Sequence, residues 1–234
     1  FGWTRAQASL GILGSTLALA AALPFIGLVV DRYGLVMPVM ISLMGLSLAY
    51  VLLGMFVQSI ATFVMLAMLQ AILGSASSPL AYTRAINTVF NKQRGLALGI
   101  ALSGAGVAAT FGPTLISNAI ESFGWRGAYF AMAAFTLVVG LIIVAVLSRL
   151  NGAKTPLNID TEAASRDFKI AKASRTYWTI MAAIFCLSLG LGGLMIHFVP
   201  ILLEIGFTTS DAAKIAGVIG IAVVLGRILV GFAV

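Results

Sequence analysis

The sequence predicts an all-α fold, a polytopic transmembrane helical bundle, on three observations. Of 234 residues, 61% are hydrophobic and 9% charged, whereas a soluble domain is about half apolar and about a quarter charged. The apolar residues gather into seven runs, each near the ~20 residues that a spanning helix needs. These runs are apolar on every face. Barrel strands of about 10 alternating residues do not fit them, and helices with internally satisfied backbones do.

The expected spans are 6–30, 36–57, 61–83, 96–118, 127–148, 177–203 and 212–234. Basic residues orient them. Arg32, Arg84, Lys92, Arg94, Arg149, Lys154, Arg166, Lys169, Lys172 and Arg175 fall on one side, against Arg5, Arg126 and Lys214 on the other. The Lys- and Arg-rich side is the cytoplasmic one. Residue 1 is therefore expected outside the cytoplasm and the 149–176 loop inside it, in a multi-pass protein of the plasma membrane (the inner membrane in a bacterium). Trp3, Trp125, Tyr177 and Trp178 stand at span starts, where amphipathic rings favour the interface. The net charge of +7 is then a property of membrane loops, and nucleic acid is not an expected partner; the bilayer is. The expected organisation is a membrane bundle over 1–148, a central cytoplasmic loop over 149–176 and the start of a second bundle over 177–234.

Cys186 is the one cysteine and His197 the one histidine, so neither a disulfide framework nor a metal cluster is expected, and no cofactor is indicated. The first residue is Phe1, with no initiating Met and no readable signal peptide. The chain is expected to be a fragment.

A shift of 204 residues lays the first span on the last. Gly2, Thr4, Ala8, Ala18, Gly27 and Val30 meet Gly206, Thr208, Ala212, Ala222, Gly231 and Val234. Thr4-x-x-Gln7 and Thr208-x-x-Asp211 both read as helix caps, a hydroxyl with a polar acceptor three residues on. Parallel repeats of about this length are what two six-helix transporter halves give.

Three stretches carry chemistry. The first is Gly27-Leu28-Val29-Val30-Asp31-Arg32-Tyr33-Gly34. An acid and a base side by side at a helix end can pair with a neighbouring helix end in one conformation and release in another. Gly27 allows close helix approach and Gly34 a tight turn; a plain polar turn is the alternative. In the second, Gly95, Gly99, Ser103, Gly106, Thr110 and Pro113 recur at steps of three and four, a small-residue face on which another helix can pack closely. Static packing and a binding face are both open there. The glycine string lacks the preceding strand and the Lys-Ser/Thr ending of a phosphate loop. The third is Arg227, inside the last span. A cation there costs roughly 2.5–3.5 kcal/mol on insertion scales unless it meets water or an anion. Guanidinium binds carboxylate in a two-pronged fork; snorkelling toward the cytoplasm is the alternative.

His197 lies among Gly192, Gly193 and Pro200, helix weakeners that allow bending. It is a candidate for gating or substrate contact, or a plain interhelical hydrogen bonder. Tyr82 could present its hydroxyl to a cavity or simply pack.

These residues carry a resemblance. Gly27-x-Val29-x-Asp31-Arg32-x-Gly34 is similar to the loop signature between the second and third helices of the major facilitator superfamily. Leu35 and Val36 stand where that family has a basic pair. Asn91-Lys92-Gln93-Arg94, the glycine-rich run from Gly95, Phe123-Gly124-Trp125-Arg126-Gly127-Ala128-Tyr129 and the opening Phe1-Gly2-Trp3-Thr4-Arg5-Ala6-Gln7 resemble its monocarboxylate and oxalate/formate branch.

The resemblance implies a major-facilitator-like bundle of twelve helices. This chain would hold seven of them, the second to the eighth, and the missing helices of its own full-length chain would be its partners. It implies secondary transport of small organic anions by alternating access, with a coupled proton or counter-anion. Arg227 would hold the substrate carboxylate, and Asp31 and Arg32 would latch the cytoplasmic gate. Val223 replaces the Asp that many proton-coupled members place one turn before that arginine.

A facilitator-type exporter of drugs or other solutes is the runner-up. The antiporter signature keeps Gly112-Pro113, but Ala108 and Ile116 replace its glycines. A seven-helix receptor is more distant, since the last span has no lysine for a retinal Schiff base. An enzyme is not expected, because the spans offer no nucleophile–base pair.

Overall fold

The computed structural model describes residues 2–79, 81–83, 86, 94–149, 166 and 169–233. Phe1, Arg84, Asn91, Lys92, Gln93, Lys154, Val234 and most of the expected central loop lie outside the described residues. Every regular element among those described is helical: α1 (Arg5–Tyr33), α2 (Val36–Phe56), α3 (Ile60–Leu73), a 3-10 turn (Ser75–Ser77), α4 (Arg94–Arg149), α5 (Arg175–Glu204) and α6 (Thr209–Ala233). The all-α expectation holds. Among the described residues α1, α2, α4, α5 and α6 are long and apolar enough to cross a bilayer. On α5, Ile180, Phe185, Leu187 and Leu191 are all exposed. A helix apolar all round is covered by lipid or by further helices.

Two spans differ from the sequence expectation. The run 61–83 is not one helix: α3 ends at Leu73, and a 3-10 turn follows. Gly74, three serines and Pro79 cause this. Ser78 takes the extended backbone (φ −73°, ψ 157°) favoured before proline, and serine hydroxyls compete with helical bonds. Ser42 of α2, which is buried, satisfies the freed groups. Its hydroxyl donates to the Leu73 carbonyl at 2.7 Å and accepts from the Ser77 N–H at 3.1 Å. Irregular backbone at membrane depth is tolerated where protein satisfies it in this way.

The second difference is one of extent: the expected break between the spans 96–118 and 127–148 is present, but it is a kink at the single residue Gly124 (φ 70°, ψ 171°), where two helices meet. A straight helix of 56 residues would be about 84 Å long, against a hydrocarbon core of about 30 Å. The glycine separates two segments of bilayer length, 94–123 and 125–149, at a conformation that side-chain-bearing residues avoid.

The chain forms two compact units. One comprises Phe1–Gly104, Asn118–Leu157 and Leu225–Val234; the other Ala105–Ser117 and Asn158–Val224. In the first, α1 runs alongside α3. The Trp3 and Phe63 rings meet in a tilted pair with centres 5.7 Å apart, and Gly14 leaves room for Val64 and Met68. Helix α2 pairs antiparallel with 125–149: Leu43 faces Gly140, Gly54 faces Phe130, and the Ser47 hydroxyl donates to the Ala133 carbonyl at 2.9 Å. Val30, Leu35, Val39 and Ala81 form a buried cluster.

In the second unit α5 ends in a Schellman turn. Gly206 takes φ 99°, its N–H donates to Leu203, and the Phe207 N–H donates to Leu202, satisfying carbonyls that the helix end would orphan. Thr208 then caps α6: the Asp211 N–H donates to its hydroxyl at 3.1 Å, which donates to the Asp211 carboxylate at 2.8 Å.

Candidate functional site

Arg227 lies 18 residues into α6, about 27 Å along the helix. Its side chain is half-buried, and its Nη1 donates to the backbone carbonyl of Leu102 on α4. Leu102 is itself eight residues in from Arg94, about 12 Å of helix. Among the described residues no carboxylate pairs with this guanidinium; its partner there is a neutral carbonyl. Four of five N–H donors are left for water or an anion.

Glycines make that contact reachable. A Cβ added to Gly99 would stand 2.6 Å from the Arg227 carbonyl oxygen and 3.4 Å from the Gly231 Cα. One added to Gly231 would stand 2.7 Å from the Gly95 carbonyl oxygen. Backbone here lies on backbone, as small-residue helix pairs in membranes allow. In the second unit the pattern continues: a Cβ added to Gly106 would stand 2.8 Å from the Gly220 carbonyl oxygen, and one added to Gly217 2.7 Å from that of Thr110. Both stretches are antiparallel pairings of α4 with α6. Ser103 turns its hydroxyl back to the Ile100 carbonyl at 2.6 Å, and Pro113 sits inside the helix. Gly104 and Gly112 meet nothing within 4 Å, so only one face of α4 is the close-approach face.

At the far end of α1, Gly27 and Gly34 are buried. Gly34 takes φ 75° and turns the chain into α2 within two residues. Arg32 is exposed, with its guanidinium carbon 5.5 Å from the Tyr33 ring centre; Asp31 is half-buried. Beneath this turn, Tyr82 packs with Ile26 and Leu43 against the Val30 cluster. His197 is on the exposed surface of α5, which continues as helix through Gly192, Gly193 and Pro200.

Sequence reasoning found the α4 side of the glycine seam and missed the α6 side. Gly217, Gly220 and Gly231 are its counterparts, and their spacing on one helix was a usable signal. The Leu102 carbonyl carries no sequence signal, because any residue supplies it. The sequence names Arg126 for orientation and resemblance but does not show its contacts. Arg126 stacks on Trp125 at 4.6 Å and reaches toward the carbonyl of Val57, the residue that follows α2, at 3.5 Å.

Comparison with known proteins adds relatives to this geometry. The chain is 24% identical over 184 residues to monocarboxylate transporter 12 of Mus musculus, covering 65% of this chain and 38% of the relative. For the Homo sapiens protein the figures are 24%, 65% and 36%, and for that of Xenopus laevis 26%, 65% and 38%. The aligned chain thus spans well under half the length of these relatives. The family model described as Major Facilitator Superfamily matches residues 1–234. A match running from the first residue to the last, on a chain of apolar bilayer-length helices, makes this a multi-pass membrane protein that belongs to the major facilitator superfamily.

Proposed function

We propose that the full protein is a secondary active transporter that moves small organic anions, mono- or dicarboxylates, by alternating access. The observation that supports this best is Arg227: a half-buried cation deep in an apolar helix, with a neutral carbonyl and no described carboxylate as its partner. A substrate carboxylate supplies the missing charge. The resemblance to the monocarboxylate branch, and relatives bearing that name, point the same way.

In this reading the bundle 1–148 and the bundle beginning at 177 rock about the substrate, joined by the cytoplasmic loop 149–176, with residue 1 outside, in the plasma membrane. Gly27, Asp31, Arg32 and Gly34 bias the cytoplasmic gate. Gly95, Gly99 and Gly106 keep the α4–α6 approach close. His197 contacts substrate or gate from α5. Val223 offers no titratable group one turn before Arg227, which favours exchange against a counter-anion over proton symport. The whole-length family match leaves no place for the seven-helix receptor, and the drug-exporter alternative is separated by assay.

The experiment is uptake by the full-length protein in vesicles, with a panel of carboxylates and a panel of cationic dyes. Arg227→Ala and Arg227→Lys should both abolish carboxylate uptake while the protein stays in the membrane. Unchanged uptake removes Arg227 from the site, and dye transport without carboxylate transport favours the exporter. Asp31→Asn should alter cysteine accessibility on the outer face; unaltered accessibility removes the latch.

A further inference from the structure

The residues just before α5 form a built feature that anion transport does not use. Arg166, Lys169, Lys172 and Arg175 recur at three-residue steps, and all four side chains are exposed. Among the described residues none is in ion-pair contact with a carboxylate. Residues 169–173 are helical, and the helix is interrupted at Ser174, whose backbone is extended (φ −81°, ψ 134°). The Ser174 N–H donates to the Ala171 carbonyl at 2.9 Å, closing the turn.

One side chain ties this segment to the span. The Trp178 Nε1 donates to the Lys172 carbonyl at 2.9 Å, and the Tyr177 ring stands edge-on to it at 5.5 Å. Indole and phenol rings settle where hydrocarbon meets headgroup. Trp178 therefore holds the basic turn at that depth, directly above a helix apolar enough to cross the bilayer. Cations at that level face the phosphate layer.

We propose that Lys169, Lys172 and Arg175, fixed by the Trp178–Lys172 hydrogen bond, form a docking surface for the phosphate headgroups of anionic phospholipids. The occupant follows from charge complementarity and depth. A soluble acidic partner would not require an aromatic anchor at the hydrocarbon boundary. Each cation near an anionic surface strengthens binding about fivefold.

The test uses the full-length chain with Trp178 as its sole tryptophan, in vesicles containing brominated phosphatidylglycerol or brominated phosphatidylcholine. Bromine quenches indole on contact. The expected result is stronger quenching by the anionic lipid at equal mole fraction. The preference should fall about fivefold per charge in Lys169→Gln, Lys172→Gln and Arg175→Gln, and persist in Lys169→Arg and Lys172→Arg. Equal quenching by the two lipids overturns the proposal. So does a preference that survives the triple glutamine variant, or one abolished by inorganic phosphate at the ionic strength of a chloride control, which would mark a soluble-anion site. Where the glutamine variant fails to insert, salt decides on the unsubstituted chain: a preference undiminished at high salt is not electrostatic.

Discussion

Helices α1 and α6 are the two copies of the 204-residue echo, and they differ in where they carry charge. Their beginnings match closely. Each follows a glycine in the left-handed region, Gly2 at φ 65° and Gly206 at φ 99°. Each has a threonine cap whose hydroxyl accepts the N–H three residues on. Past Arg5 at its first position, α1 carries no charge until Asp31 and Arg32, in the last turn and at the helix end. In α6, past Asp211 and Lys214 near its start, the charge stands at Arg227, and the position that matches it in α1 is Leu23. A leucine at a helix centre contributes about −0.3 to −0.6 kcal/mol to insertion; an arginine costs about 2.5–3.5. At a helix centre the exchange costs about 3 kcal/mol, and less at Arg227, which lies 18 residues into a helix of 25.

The comparison breaks most readily at that position. Arg227→Leu gives α6 the residue of α1. If the charge serves a carboxylate, uptake should fall at least ~100-fold, since charge-assisted hydrogen bonds contribute about 1.5–3 kcal/mol each and the guanidinium fork makes two. The amount of protein in the membrane should hold or rise. The reciprocal Leu23→Arg puts a cation into an apolar stretch of α1, and should lower detergent melting temperature and membrane yield by the equivalent of up to about 3 kcal/mol. Labelled-carboxylate uptake, normalised to membrane-embedded protein, reads the first variant; a melting curve reads the second. Retained uptake in Arg227→Leu would make the two helices functionally equivalent.

A smaller effect separates the two faces of α4. In Gly99→Ala the new methyl meets the Arg227 carbonyl oxygen at 2.6 Å. Backbone cannot step aside as a flexible side chain would, so the helices must part, at a cost of about 1–3 kcal/mol. Gly104→Ala meets nothing within 4 Å and gains up to about 1 kcal/mol of helix propensity. The two substitutions, five residues apart in one helix, should move the melting temperature in opposite directions. Gly99→Ala should also weaken carboxylate binding, because Arg227 loses its hold on Leu102. A stabilising Gly99→Ala would mean that α6 does not lie on that face.

What the sequence made legible follows a physical division. Local signals were readable: apolar run lengths, the paired threonine caps, the glycine steps of α4 and the cost of Arg227. Signals that need a second element were not. The run to residue 83 is apolar enough for a span, but α3 stops at Leu73 because Ser42, 31 positions away, offers its hydroxyl to the freed backbone. The break expected at 119–126 is present, yet helix continues on both sides and Gly124 alone leaves it. The packing of Tyr82 against the Val30 cluster likewise carries no local signal.

The smallest predicted effects lie in the caps, where α1 and α6 are most alike and a fine difference is testable. Thr4→Ala and Thr208→Ala should each cost about 1 kcal/mol, seen as a drop in melting temperature. Their partners should behave differently. Gln7 returns a hydrogen bond to the backbone, its Oε1 accepting the Thr4 N–H at 2.9 Å, so Gln7→Ala removes a neutral bond whose loss salt does not change. Asp211 instead accepts from the threonine hydroxyl and lies 3.6 Å from Lys214. Its charge is what favours the helix N-terminus, by about 0.3–1 kcal/mol. Asp211→Asn should therefore destabilise at low salt and approach neutrality as salt screens that charge. Melting curves of both variants across a salt series separate the two. A salt-independent loss in Asp211→Asn would mean that the second cap, like the first, works through hydrogen bonds alone.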